Sequence, residues 1–312
     1  MRIVFCGTPQ FAVPTLKRLL AEADFQVLAV FTQPDRPRGR GQQISFSPVK
    51  EVALAAGVPV HQPEKIRDAA SFEFLQYLAP DCIVIIAYGQ IIPARLLPIP
   101  KFGWINLHAS LLPKYRGAAP INWAIANGES VTGITSMRID AGMDTGGMLL
   151  KSEIPIAPDE TAPQLIARLS EAGVPVMMNT LRGLIAGSLT PQPQDHSQAT
   201  SAPLLKKEDG LIIWTSSAQQ IYNRMRGFDP WPGAYTTFRG QTAHLWGQPE
   251  PRQLHNNKIP GEIFFDSNNF LVACGEGTTL RILDVKQEGR KRITAAEFVN
   301  GAHLKSGERF GS

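Results

Sequence analysis

Apolar residues follow two rhythms that alternate through the first half of this chain. Arg2–Cys6, Val27–Thr32, Asp81–Ala87 and Gly103–His108 are short runs rich in β-branched residues and bounded by Gly, Pro or Asn. Such runs predict strands, and a continuous apolar run such as Cys82–Ala87 suits a sheet covered on both faces. Between them the spacing becomes helical. Phe11–Ala23 brings Phe11, Leu16, Leu19 and Leu20 toward one face, with Pro14 in the first turn, where a missing N–H is tolerated. Val49–Ala56 and Ala69–Leu78 repeat the pattern. Strands alternating with helices predict βαβ units and an α/β domain with a doubly wound, mostly parallel sheet.

Thr132–Arg138 and Met148–Ile156 read as two further strands around the loop Ile139–Gly147. A long helix is expected over Ala162–Ala186, entered from Asp159-Glu160-Thr161 and closed near Gly187. The run 188–207 is rich in proline and small polar residues and reads as a linker. Domain boundaries are therefore expected at 1–189, 190–207 and 208–312. Beyond the linker, helical spacing survives only around Ser217–Arg226. The strand-like runs Gly233–Arg239, Thr242–Trp246, Gly261–Phe265, Phe270–Cys274 and Leu280–Val285 predict a small, mostly antiparallel β-barrel of OB type.

Hydrophobic residues make up 43% and charged residues 19%, a balance that supports folded cores rather than disorder. No apolar run nears the roughly 20 residues that span a bilayer. The N-terminal run is broken at Gly7-Thr8-Pro9, so it reads as a strand and not a signal peptide. Cys6, Cys82 and Cys274 lie far apart in apolar runs, which argues for buried thiols in a reducing cytosol and against a zinc or disulfide framework. No metal is expected, and His61, His196, His244, His255 and His303 show no ligand spacing. Net charge is +4. Residues 34–50 place Arg36, Arg38, Arg40 and Lys50 against Asp35 alone, a candidate contact for phosphates. Arg290-Lys-Arg292 is a second, shorter basic run.

Ligands of open α/β sheets bind beyond the carboxyl ends of the strands. Gly103–His108 looks like a strand ending there, and a period of two turns Asn106 and His108 to the same face. Asp144 lies in the glycine-rich loop Asp140–Gly147, where a carboxylate can orient an imidazole and hold its proton. An amide donor, an imidazole and a carboxylate suit a reaction through a tetrahedral oxyanion. Spacing alone leaves the plainer readings open: a strand histidine is commonly structural, and a loop aspartate commonly shapes its own turn.

The motifs around these residues narrow the choice. Asn106-Leu-His108-Ala-Ser-Leu-Leu-Pro113, Tyr115-Arg-Gly-Ala-Ala-Pro120 and Asp140–Gly146 resemble the signature of the folate-dependent formyltransferases. Phe31–Pro37, Gly39-Arg-Gly41, Ser47-Pro-Val-Lys50 and Phe228-Asp-Pro-Trp-Pro-Gly233 resemble the members acting on methionyl-tRNA, and the likeness runs along nearly the whole chain. Two departures stand out: Ile213 where the family usually has Asp before Trp214, and Asp229 in place of Asn.

The resemblance implies a Rossmann-like first domain and an OB-like second domain that binds tRNA. It implies formyl transfer from 10-formyltetrahydrofolate to the α-amino group of methionine on charged initiator tRNA, by a cytoplasmic monomer that engages no membrane. It assigns catalysis to Asn106, His108 and Asp144, folate contacts to Ser110, Leu111, Leu112 and Pro113, and tRNA contacts to Arg36, Arg38, Arg40 and Lys50. Relatives acting on sugar nucleotides generally lack the basic Arg36–Gly41 loop. Gly7-Thr8-Pro9 lacks the full dinucleotide fingerprint, so a nicotinamide cofactor is not expected. Trp231, between two prolines, is expected to be a packing anchor.

Overall fold

The computed structural model describes residues 1–38, 43–251, 258–266 and 269–311, with only the backbone of residues 37, 38, 43 and 44. The chain divides into two compact units. The first holds Met1–Pro120, Val131–Pro155 and Leu165–Pro203, and the second holds Ile121–Ser130, Ile156–Gln164 and Leu204–Ser312.

The first unit contains β1 (Arg2–Gly7), β2 (Gln26–Phe31), a short ribbon of β3 (Arg36–Arg38) and β4 (Gln43–Ser45), then β5 (Val60–His61), β6 (Cys82–Ile86), β7 (Trp104–His108), β8 (Val131–Arg138) and β9 (Met148–Pro155). Seven of these form one sheet in the order β5-β2-β1-β6-β7-β8-β9. The first five run parallel and the last two antiparallel, so the doubly wound, mostly parallel sheet is present. Cys82–Ile86 is buried throughout, as its unbroken apolar run requires.

Helices α1 (Val13–Ala21), α2 (Pro48–Ala55), α3 (Ala69–Leu78) and most of α5 (Ala162–Ile185) accompany the sheet. Leu16 and Leu19 of α1 are fully buried, and each such side chain contributes roughly 1.5–3 kcal/mol. The helix is shorter than its apolar period suggested. A 3₁₀ turn over Gln10–Ala12 precedes it, and Glu22 leaves it in extended conformation. α2 starts on Ser47, whose hydroxyl accepts from Lys50 N at 3.1 Å, and α3 on Asp68, which accepts from Ser71 N at 2.7 Å. Both caps satisfy otherwise orphaned N–H groups.

Strand order reverses between β1 and β6, the switch point at which open α/β sheets hold ligands. Gly7 ends β1 there, and a Cβ on it would press on the Phe5 ring and the Ile86 carbonyl. His108 ends β7 on the same side of the sheet.

The second unit carries α4 (Pro120–Ala126) from Ile121 onward and α6 (Ala218–Gly227). Its strands are β10 (Tyr235–Phe238), β11 (Gln241–Glu250), β12 (Ile263–Asp266), β13 (Asn269–Ala273), β14 (Thr279–Gln287) and β15 (Ile293–Thr294), followed by α7 (Ala295–Gly301). The ladder is antiparallel in the order β10-β11-β14-β13-β12, with β15 on β14. That path is compatible with an OB-type barrel, and among the described residues no ladder closes β12 on β10. Its core gathers Trp214, Phe238, Phe270, Phe298 and Phe310. Trp231 does not join it: the side chain is 55% exposed. Phe228, in the same motif, is fully buried and edge-on to Trp123 at 5.2 Å. Ile213 is exposed, so its departure from the family residue costs no core contact.

Candidate active site

β7 pairs with β6 on one side and β8 on the other, with Asn106 opposite Ile85 and Met137, and His108 opposite Thr135. This register fixes the strand end from both flanks. Asn106 is half-buried and makes no side-chain hydrogen bond to another described residue. Its amide is therefore free to meet a ligand.

His108 is 5% exposed. Its Nε2 lies 2.9 Å from the Tyr115 carbonyl. A carbonyl only accepts, so this contact puts a proton on Nε2. Nδ1 then faces Asp144 Oδ2 at 3.6 Å, longer than a hydrogen bond. Contacts of this kind commonly tighten when substrate binds. The same Oδ2 accepts from Gly117 N at 2.9 Å.

The Asp140–Gly147 loop is built to aim that carboxylate. Asp140 Oδ1 accepts from Gly142 N at 3.0 Å and from Thr145 Oγ1 at 2.7 Å, closing a tight turn. A Cβ on Gly146 would overlap the Arg138 carbonyl. Asp144 itself sits at φ 53°, and Tyr115 at φ 60°, left-handed conformations that L residues rarely adopt outside functional turns.

The segment 110–113 follows β7 directly and is held by hydrogen bonds. Ser110 and Leu112 are fully buried, and the Ser110 hydroxyl donates to Lys114 O at 2.6 Å. Thr135 Oγ1 donates to Ser110 O at 2.7 Å and accepts from Leu112 N at 3.2 Å, tying the segment to β8. Lys151 Nζ donates to Leu112 O. Leu111 and Pro113 are the half-buried members of the segment.

Comparison with known proteins decides the family. The formyl transferase family model matches residues 1–181, more than half of the chain, and the formyl transferase C-terminal domain model matches 204–303. This chain belongs to the formyl transferase family.

Family relatives match it end to end. A methionyl-tRNA formyltransferase of Solibacter usitatus is 54% identical over 311 residues, covering 100% of this chain and 99% of that protein. One of Koribacter versatilis is 50% identical over 312 residues, with the same coverage of 100% and 99%. Among solved structures, the sugar 3N-formyltransferase WlaRD, with dTDP and 5-N-formyl-THF present, shares the fold at a TM-score of 0.65 and 17% identity, covering 93% of this chain and 99% of its own. The N-formyltransferase of Helicobacter canadensis, in complex with folinic acid and dTDP-3-aminofucose, reaches 0.64 at 18% identity, covering 90% and 98%.

The basic segment divides. Arg36 is exposed at the start of β3, and Arg38 ends that strand. Arg40 lies outside the described residues. Lys50 behaves differently from the arginines. Its Nζ is ion-paired with Asp35, donates to Gln62 Oε1 at 2.8 Å and sits 3.9 Å over the Phe46 ring. Gln62 Nε2 donates to Asp35 Oδ1 at 2.9 Å and to Gln33 O at 2.9 Å. The Lys50 hydrogen bond is the chief cause holding the Asp35 carboxyl below its ordinary pKa. Lys50 thus anchors the root of the basic segment.

Sequence reasoning missed Tyr115, Gly117 and Gln194 as parts of the site. The first two lie inside a family motif, but only the fold shows their backbone groups turned onto His108 and Asp144. Gln194 carries no local signal.

Among the described residues no cluster of His, Cys, Asp or Glu is placed to hold a metal ion, and no helix is long and apolar enough to cross a membrane. Cys6, Cys82 and Cys274 are free and buried, and burial pushes the Cys274 thiol up to about 12. The second unit holds a separate cavity of about 440 Å³, lined in part by Arg239, Arg290 and Glu297. None of the candidate catalytic residues lines it.

Proposed function

We propose that this protein transfers a formyl group from 10-formyltetrahydrofolate to the α-amino group of methionine on initiator tRNA, giving N-formylmethionyl-tRNA. The observation that carries the reading is a strand end with an unpartnered amide and a carboxylate-facing imidazole, in a chain matched over its full length by methionyl-tRNA formyltransferases.

The residues fit such a donor. Asn106 offers a free amide, and the half-buried Leu111 and Pro113 of the segment after β7 suit the apolar body of a pterin. Asn106 donates to the oxyanion that develops when the amine attacks the formyl carbon; one such donor is typically worth roughly 100- to 1000-fold in rate. The new C–N bond forms at the methionine amine and the bond to N10 of the folate breaks. The His108–Asp144 pair gives a proton to the leaving N10 and regains one from the amine. Asp144 keeps the imidazole cationic and oriented in the transition state.

Arg36, Arg38 and Arg40 meet tRNA phosphates, and the 208–312 domain adds a second tRNA surface. Lys50 supports that contact by fixing the base of the segment. The protein acts as a monomer in the cytoplasm; the buried, free cysteines support the reducing compartment.

The deciding assay offers the formyl donor with three acceptors: charged initiator tRNA, a sugar-nucleotide amine, and none. Formylated product is expected with the tRNA alone. Product on the sugar amine, with none on the tRNA, refutes the reading.

A further inference from the structure

Residues 190–203, within the run that the sequence marks only as proline-rich and polar, are bound into the first unit. Tyr115 N donates to Thr200 Oγ1 at 2.8 Å, and Arg116 N to Thr200 O at 2.8 Å. Ala202 N donates to Arg116 O at 2.7 Å, and Met148 and Gln192 exchange backbone hydrogen bonds, both 2.8 Å. This strap therefore binds the loop carrying Tyr115 and Gly117 and also the end of the Asp144 loop.

Gln194 lies between the two attachments and is 5% exposed. Its Nε2 donates to Asp144 O at 2.7 Å and to Gly146 O at 2.8 Å. Its Oε1 accepts from Arg116 Nε at 3.0 Å and Nη2 at 2.6 Å. Carbonyls only accept and a guanidinium only donates, so one amide orientation alone satisfies all four contacts. Arg116 Nη2 also reaches His196 Nδ1 at 3.2 Å.

Asp144 is thus gripped at both ends. Gly117 N holds its carboxylate and Gln194 holds its carbonyl, across a residue whose φ of 53° needs support from its surroundings. We infer that Gln194 is a positioning residue for Asp144: it keeps the Asp144 carboxylate facing His108, and Arg116 keeps Gln194 in place. Gln194 touches no reacting atom in this scheme. The inference rests on the catalytic role of Asp144 proposed above.

The test uses full-length Gln194→Ala, Gln194→Glu, Asp144→Asn and the Gln194→Ala/Asp144→Asn double variant. Single-turnover rates and KM values are measured with charged initiator tRNA and formyl donor. Gln194→Ala is expected to lower kcat roughly 10- to 100-fold, with both KM values within about threefold of the parent. Gln194→Glu keeps an acceptor for Arg116 but loses the donor to both carbonyls, so it falls as far; being isosteric, it carries the test if the alanine variant does not fold. In the Asp144→Asn background, removing Gln194 is expected to cost less than about threefold, because the group it acts through is already gone. A general packing role would multiply the two losses, and that result overturns the inference. So does a parental kcat in both Gln194 variants while Asp144→Asn is slow. Asp144→Asn at the parental rate would instead overturn the catalytic reading, and this inference with it.

Discussion

Replacing Asp144 with Asn isolates the charge of one side chain. The amide keeps the volume, and its oxygen can still accept from Gly117 N, which now lies 2.9 Å from Oδ2. What disappears is the attraction between the carboxylate and the imidazolium that the proposed mechanism forms at His108 in the transition state. The atoms are 3.6 Å apart, and the two side chains are 6% and 18% exposed. At an effective dielectric constant of about 20, unit charges at that distance attract by about 4–5 kcal/mol. This is an upper limit, since water at the open edge of Asp144 screens part of it. If half to all of that attraction acts in the transition state, kcat falls by roughly 50-fold to about 2,000-fold, at about 1.4 kcal/mol per factor of ten. The assay is single-turnover formylation of charged initiator tRNA at saturating donor, with KM for both substrates and a thermal melt as controls. KM values should stay within about threefold. A kcat within threefold of the parent, in a variant that melts like the parent, would refute the argument that this charge drives the reaction.

Further expectations follow from the same geometry. Asn106→Ala should lower kcat by roughly 100- to 1000-fold with small changes in KM, since its amide has no structural partner to lose; a change confined to KM would contradict an oxyanion role. Neutralising Arg36, Arg38 and Arg40 together should raise KM for tRNA and flatten its dependence on salt, and an unchanged KM at both low and high salt would remove them from the tRNA site. Lys50→Met should chiefly lower stability, because it strands Asp35 and Gln62. The Asp35 pKa is depressed in the folded state, so the stability it contributes is present above its unfolded pKa and lost as pH falls through the folded value. The gap in Tm between parent and Lys50→Met should therefore narrow from pH 7 to pH 3, and a gap that widens on acidification would contradict the pairing. Gly146→Ala should fail to keep the Asp144 loop, because its methyl would meet the Arg138 carbonyl; parental activity in that variant would show that the loop can yield.

The layered part of the fold was legible in the sequence because each element carries its own period. Cys82–Ile86 is buried throughout as its unbroken apolar run implied, and Ala69–Leu78 is helical over the span its pattern marked. Short elements escaped. The β3–β4 ribbon and the two-residue strand Val60–His61 are too brief to show a period, and α4 is only seven residues long. Trp231 was misread because flanking prolines favour extended chain but say nothing about which side is covered.

The candidate site shows the same divide more sharply. Period-two alternation placed Asn106 and His108 on one face of a strand end, since that relation is local. The family motif supplied Asp144. Sequence could not show that Tyr115 offers its carbonyl to His108, that Gly117 N meets the Asp144 carboxylate, or that Lys50 turns inward to Asp35. Backbone donors and acceptors are the same in every residue, so their use leaves no mark on residue identity. Gln194 was hidden for a related reason: it stands 50 residues from Asp144, in a stretch whose composition reads as linker. Residue chemistry and local period therefore determined which elements form and, with the family motif, which groups are candidates for the chemistry. Tertiary structure alone decided which distant backbone atoms hold those groups in place, because that choice depends on how the chain returns on itself.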